Sequence, residues 1–134
     1  MVPLDATTAG PKRDCRLFAG VQASVTSARR FVVEALGQVP KPLLDAIELM
    51  VSELASNCVL HTKAEFEVCI VRAEGMLRVE VTDTGRGLPV LRHPAAADLR
   101  GRGLVIVKEL ADEWGIVPRA GETGKMVWFA VHRP

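Results

Sequence analysis

The sequence contains no tyrosine, and aromatic residues make up only 4% of it. Few ring faces are therefore available on which single-stranded DNA or RNA could stack. Charge of one sign is missing as well: a formal net charge of +1 supplies no field to draw in nucleic acid or an anionic membrane. No direct nucleic-acid role and no membrane role is expected. No apolar run approaches the roughly 20 residues that cross a bilayer, and the opening MVPLDATTAGPKRD lacks the apolar core of a signal peptide. Cysteine is scarce. Cys15, Cys58 and Cys69 are an odd number, widely spaced and without a C-x-x-C pair, so they read as reduced thiols in a cytoplasmic protein.

What is present fits one domain. At 134 residues, 49% of them hydrophobic, the chain is long enough to bury a core without metal or disulfide. Residues 1–14 read as a flexible tail rich in Thr, Ala, Gly and Pro, and 15–134 as a single domain. Cys15–Ala19 reads as an edge strand. From Ser24 to Leu36 the apolar positions Val25, Ala28, Val32, Ala35 and Leu36 keep helical spacing until Gly37 and Pro40 end it. A second helix runs from Leu43 to Thr62. Strands follow at Phe66–Arg72 and Met76–Thr82, joined through Gly75, and each alternates apolar with polar residues as a half-buried strand does. A helix over about Gly103–Trp114, closed by Gly115, turns Leu104, Val107, Leu110, Ala111 and Trp114 inward. Two strands, Gly115–Pro118 and Lys125–His132, complete the chain. The order β-α-α-β-β-loop-α-β-β predicts an α+β two-layer sandwich: a mixed, mostly antiparallel sheet covered on one face by helices.

Three stretches carry chemistry. On the second helix Glu53, Asn57 and His61 recur every fourth residue and so share one face, beside a stripe of Ile47, Met50, Val51, Leu54 and Cys58. Asp83-Thr-Gly85-Arg-Gly87 follows a strand, and Gly101-Arg102-Gly103-Leu104 opens a helix. Neither glycine pair has the third glycine of a dinucleotide fingerprint, and Gly124-Lys125 lacks the other residues of a P-loop. Their placement still describes a purine nucleotide site. An acid can accept from an exocyclic amine, and a helix N-terminus favours phosphate.

In order and spacing, Glu53-Leu-Ala-Ser-Asn57, Asp83-Thr-Gly85-Arg-Gly87 and Gly101-Arg102-Gly103-Leu104 resemble the N, G1 and G2 boxes of the GHKL ATPases, which share the Bergerat ATP-binding fold. Ser52-Glu53-Leu54-x-x-Asn57 and the ending Gly124-Lys-Met-Val-Trp-Phe129 resemble the anti-sigma-factor serine/threonine-protein kinase branch, the RsbW-like proteins. The resemblance runs from about Leu17 onward and implies a histidine-kinase-like ATPase domain that uses ATP and Mg²⁺. It implies that Asn57 ligates Mg²⁺ through its amide oxygen and that Asp83 reads the adenine amino group. Gly85 and Gly87 would pass under the base, while Gly101, Arg102, Gly103 and Leu104 hold phosphate. Glu53 would be the general base that takes the proton from a serine hydroxyl as it attacks the γ-phosphate.

The implied partners are a sigma factor, which is sequestered, and an anti-anti-sigma antagonist, which is phosphorylated. Homodimers are common in that branch. The pattern is broken in the last strand, where many relatives carry a Thr that helps fix the adenine and where Met126 is read here. That departure motivates an alternative, a non-catalytic module in which ATP stabilises a protein-interaction surface. His61 ends the helix motif without an assigned role, and Trp114 and Trp128 read as packing residues.

Overall fold

A computed structural model of the chain describes residues 12–84, 104–118 and 124–132. Its elements are β1 (Lys12–Phe18), α1 (Ala23–Leu36), α2 (Lys41–Asn57) with a π-helical turn over Cys58–Thr62, β2 (Phe66–Ala73) and β3 (Met76–Asp83). A helix at 104–110, α3, follows, and then β4 (Glu113–Pro118) and β5 (Lys125–His132). The five strands form one sheet in the order β1-β2-β3-β5-β4. All four pairings are antiparallel, so the sheet expected to be mixed has no parallel pair among the described residues. The α+β sandwich is as the sequence pattern predicts.

Period-two alternation decides which residues face the helices. Phe66, Val68 and Ile70 of β2, Leu77, Val79 and Val81 of β3, and Val127, Phe129 and Val131 of β5 are all buried and occupy matching register positions. Against them α1 sets Val25, Ala28, Val32 and Leu36, and α2 sets Ile47, Met50, Val51 and Leu54. Two polar links hold the helices in place. Arg29 of α1 donates to Ser52 Oγ of α2 at 3.0 Å, and Arg72 of β2 donates to the Ala35 carbonyl at the end of α1, where the helix dipole favours a cation. Glu74 and Gly75 make the hairpin turn between Ala73 and Met76, and Gly75 takes a φ of +76° that a side chain would resist.

Polar side chains lie on the opposite face of the sheet. Glu80 is buried there between Arg13 and Arg78, at 2.8 and 2.9 Å, and the Arg78 guanidinium sits 4.1 Å from the Trp128 ring centroid. On the other side of Trp128 is Gly115, where a Cβ would come within 2.6 Å of the indole nitrogen. Only a glycine lets β4 carry its backbone this close to the ring.

Several boundaries differ from the sequence pattern, and strand pairing accounts for those at β1 and β4. Strand β1 begins at Lys12 instead of Cys15, because its ladder continues outward to the Lys12–Arg72 pair; the tail's remaining residues, 1–11, lie outside the described residues. The third helix stops at 110, and the residues expected to finish it are strand β4, paired to β5 from Glu113–Ala130 onward. Trp114 and Leu110 are accordingly 37% and 40% exposed, not turned inward. Gly115 stands inside a strand instead of closing a helix. The sheet's edge had no partner in sequence until β5 supplied one, and non-local pairing overrides a local helical pattern.

The cysteines require a further correction. Cys15 and Cys69 are disulfide-bonded, with Cα atoms 4.0 Å apart and a sequence separation of 54. Strand register places them directly opposite each other, a relation that spacing along the chain does not reveal. Only Cys58 remains a free thiol.

Candidate functional site

The site residues fall at the end of α2 and the end of β3. Helix α2 starts after Pro40, with Pro42 in the first turn where its missing N–H costs nothing, and it buries Ile47, Met50, Val51, Leu54 and Ala55. That buried stripe fixes the rotation of the helix. Glu53 and Asn57, one turn apart, are both half-buried beside it. They share a face, as their four-residue spacing requires.

His61 follows in a turn of different geometry. After Asn57 the backbone widens into a π turn, seen in the hydrogen bond from Lys63 N to Cys58 O at 3.0 Å. A five-residue hydrogen-bond step replaces the four-residue step that stacked Glu53 over Asn57, and such turns are frequent at functional sites. Thr62 secures the turn by donating to the Cys58 carbonyl at 2.8 Å and accepting from the Ala64 amide at 3.1 Å.

Asp83 ends β3 on the helix-facing side, in register with Phe66. Its side chain is only 4% exposed. Oδ2 receives Lys125 Nζ at 3.4 Å, while Oδ1 is buried with no hydrogen-bond partner among the described residues. A buried carboxylate oxygen without a donor is costly, and an exocyclic amine brought by a ligand would supply one. The donor set therefore fits adenine at Asp83. The amide oxygen of Asn57 and the carboxylate of Glu53 likewise provide the hard oxygen donors that Mg²⁺ prefers.

Cys58 ties the two halves together. Burial pushes its thiol up to about 12 from the ordinary 9.0, with the nearby Asp83 carboxylate adding to the rise and Lys125 opposing it. The thiol at the end of α2 is thus within electrostatic reach of the acid at the end of β3. A raised folded-state value means that the contribution to stability is fully present below about pH 9. It is lost as the pH rises towards 12, because only the unfolded chain ionises in that window. Stability measured by denaturant titration between pH 9 and 11 should fall less steeply in Cys58→Ala than in the parent. The difference should reach about 1.4 kcal/mol per pH unit, and parallel slopes would rule out this linkage.

Two further residues are placed differently from the sequence reading. Met126, read as the residue replacing a base-contacting Thr, pairs with Thr82 on the face of the sheet away from the helices. Strand alternation instead turns Lys125 towards Asp83. The signal was present: counting back from the buried Val127 in steps of two gives Lys125, not Met126.

Leu104 opens α3, half-buried and packed against the core. Gly85, Gly87, Gly101, Arg102 and Gly103, the other expected nucleotide-binding residues, lie outside the described residues. No helix among the described residues is long and apolar enough to cross a membrane.

The family model described as the histidine kinase-like ATPase domain matches residues 18–131. That span runs from the last residue of β1 almost to the end of β5, and includes Glu53, Asn57 and Asp83 together with both glycine-rich stretches. A GHKL-type ATPase sandwich, with Glu53, Asn57 and the buried carboxylate of Asp83 at one end, is what this chain folds into, and it belongs to the histidine kinase-like ATPase domain family.

Proposed function

We propose that this chain is an ATP- and Mg²⁺-dependent regulatory kinase, which phosphorylates a serine or threonine of an anti-anti-sigma antagonist and sequesters a sigma factor. One observation carries the nucleotide half of the reading: the buried Asp83 carboxylate keeps one oxygen without a partner among the described residues, beside the helix that presents Glu53 and Asn57. ATP would fill that vacancy with its exocyclic amine, whereas GTP would bring a carbonyl oxygen against a carboxylate. Mg²⁺, when bound, supplies charge neutralisation at the phosphates. Asn57 would hold it through the amide oxygen.

The kinase half rests on Glu53. A carboxylate one turn before the metal-holding amide stands where an acceptor hydroxyl would lose its proton during attack on the γ-phosphate. The alternative, a non-catalytic nucleotide-binding module, drew its support from the Thr missing from the last strand. Met126 lies on the opposite face and Lys125 beside Asp83, neither is that Thr, and the transfer experiment decides between the two readings.

Calorimetry with MgATP and MgGTP tests the first half, and incubation with γ-labelled ATP and a candidate antagonist tests the second. ATP should bind at least tenfold more tightly than GTP, and label should appear as phosphoserine or phosphothreonine on the antagonist. Binding of ATP without transfer to any antagonist would restore the non-catalytic reading. Failure to bind ATP at millimolar concentration would overturn both.

A further inference from the structure

The face of the sheet away from the helices holds a second cluster of chemically active side chains, distant in kind from the nucleotide site. Cys15 and Cys69 lie opposite each other on β1 and β2, and Glu67 precedes Cys69 by two residues, so all three project from the same face. One ligand atom from each lies within 4.8 Å of the other two. Burial is graded across them: Cys15 is exposed, Glu67 half-buried and Cys69 buried. Glu80, opposite Cys69 on the next strand, is held by two arginines. Glu67 has no hydrogen bond or ion pair among the described residues.

We propose that Cys15, Cys69 and Glu67 form a redox-gated site for a zinc-class divalent cation, closed while the cysteines are bonded to each other and open once they are reduced. The donor set favours this class of ion. Two thiolates and a carboxylate give a borderline-soft, tetrahedral metal three ligands, and water at the exposed Cys15 side gives the fourth. Tetrahedral coordination with Zn–S near 2.3 Å separates two sulfurs by about 3.7 Å. Side chains projecting in parallel from Cα atoms 4.0 Å apart reach that spacing by small side-chain rotations, with no change of strand register. A hard cation such as Mg²⁺ would leave the sulfurs unused.

Opening the site is thiol–disulfide exchange. A dithiol reductant attacks Sγ of Cys15, the exposed partner, through its thiolate. The Cys15–Cys69 bond breaks, a mixed disulfide forms, and the second thiol of the reductant displaces Cys15 while closing a cyclic disulfide. The protein gains two electrons and two protons, and the reductant loses them. Metal binding then releases the two thiol protons to solvent. In either state β1 is fastened to β2 by more than its backbone ladder, once by a covalent bond and once by a shared ion. Cys58 is not a rival ligand, because it is buried in the core and its thiol is held in the neutral form.

The full chain, reduced with a dithiol that is then removed under argon, is titrated with Co²⁺ and with Zn²⁺. One equivalent of Co²⁺ should bind with sulfur-to-metal charge-transfer absorption and tetrahedral visible bands, Zn²⁺ should displace it, and the oxidised chain should show neither signal. Cys15→Ser and Cys69→Ser should each lose at least a hundredfold in affinity, and Cys58→Ala should bind as the parent does. Glu67→Gln keeps both cysteines and the disulfide, so its fold is not in question, and it should weaken Zn²⁺ at least tenfold. Circular dichroism of each variant separates lost binding from lost folding. The proposal is overturned if the reduced parent binds neither ion at 10 μM, on the order of ordinary surface affinity, or if the oxidised chain binds equally. It is also overturned if Cys15→Ser binds unchanged or if Glu67→Gln has the affinity of the parent. None of these readouts depends on ATP, so the outcome is independent of the proposed kinase function.

Discussion

Glu53→Gln is expected to keep ATP affinity within a few-fold of the parent while lowering the rate of phosphoryl transfer to the antagonist by about 10²- to 10⁴-fold, the range a positioned general base contributes. The amide matches the carboxylate in shape and can still accept a hydrogen bond, but it cannot take the hydroxyl proton. Glu53 is half-buried on the flank of α2, and the core-facing stripe of that helix is untouched by the change. Folding should therefore be unaltered, and the loss should lie in the chemical step. Single-turnover transfer of labelled phosphate, with binding followed by calorimetry, separates the two quantities. Equal transfer rates would remove Glu53 from the role of base, and a parallel loss of ATP binding would make it a binding residue instead.

Much of the architecture was readable because short-range periodicity and tertiary burial agree. The stripe Ile47, Met50, Val51, Leu54 and Cys58 was visible as a 3.6-residue pattern, and all five are buried. The alternation in β2 and β3 predicted the helix-facing residues because one face of the sheet has to be apolar wherever helices cover it. Asp83 could be singled out as an acid ending a strand, and it is buried at that strand's end.

The misreadings share one physical origin, since each depends on which residues meet across strands. The Cys15–Cys69 bond is a matter of register between β1 and β2. The conversion of Glu113 and Trp114 from the end of an expected helix into the start of β4 follows from pairing with β5. Lys125 and Met126 differ by a single position, but on a strand one position exchanges the two faces of the sheet.

Asp83→Asn should reduce ATP affinity by about 10- to 100-fold, because the exocyclic amine would lose a charge-assisted hydrogen bond of about 1.5 to 3 kcal/mol. The nucleotide-free protein should respond in the opposite sense, or not at all. In the absence of ligand Asp83 is 4% exposed, with one oxygen lacking a partner among the described residues and the other 3.4 Å from a lysine that is itself 31% exposed. A buried charge with one long ionic contact contributes little net stability, and neutralising it removes a desolvation cost. Lys125 has solvent to fall back on. Thermal unfolding without nucleotide should therefore leave the midpoint of Asp83→Asn unchanged or raised, while saturating ATP should raise the midpoint of the parent well above that of the variant. A variant that is destabilised without nucleotide yet binds ATP normally would make Asp83 a structural residue. The predicted reversal, with lower affinity at equal or greater stability, is the signature of a group whose burial is tolerated for the ligand it receives.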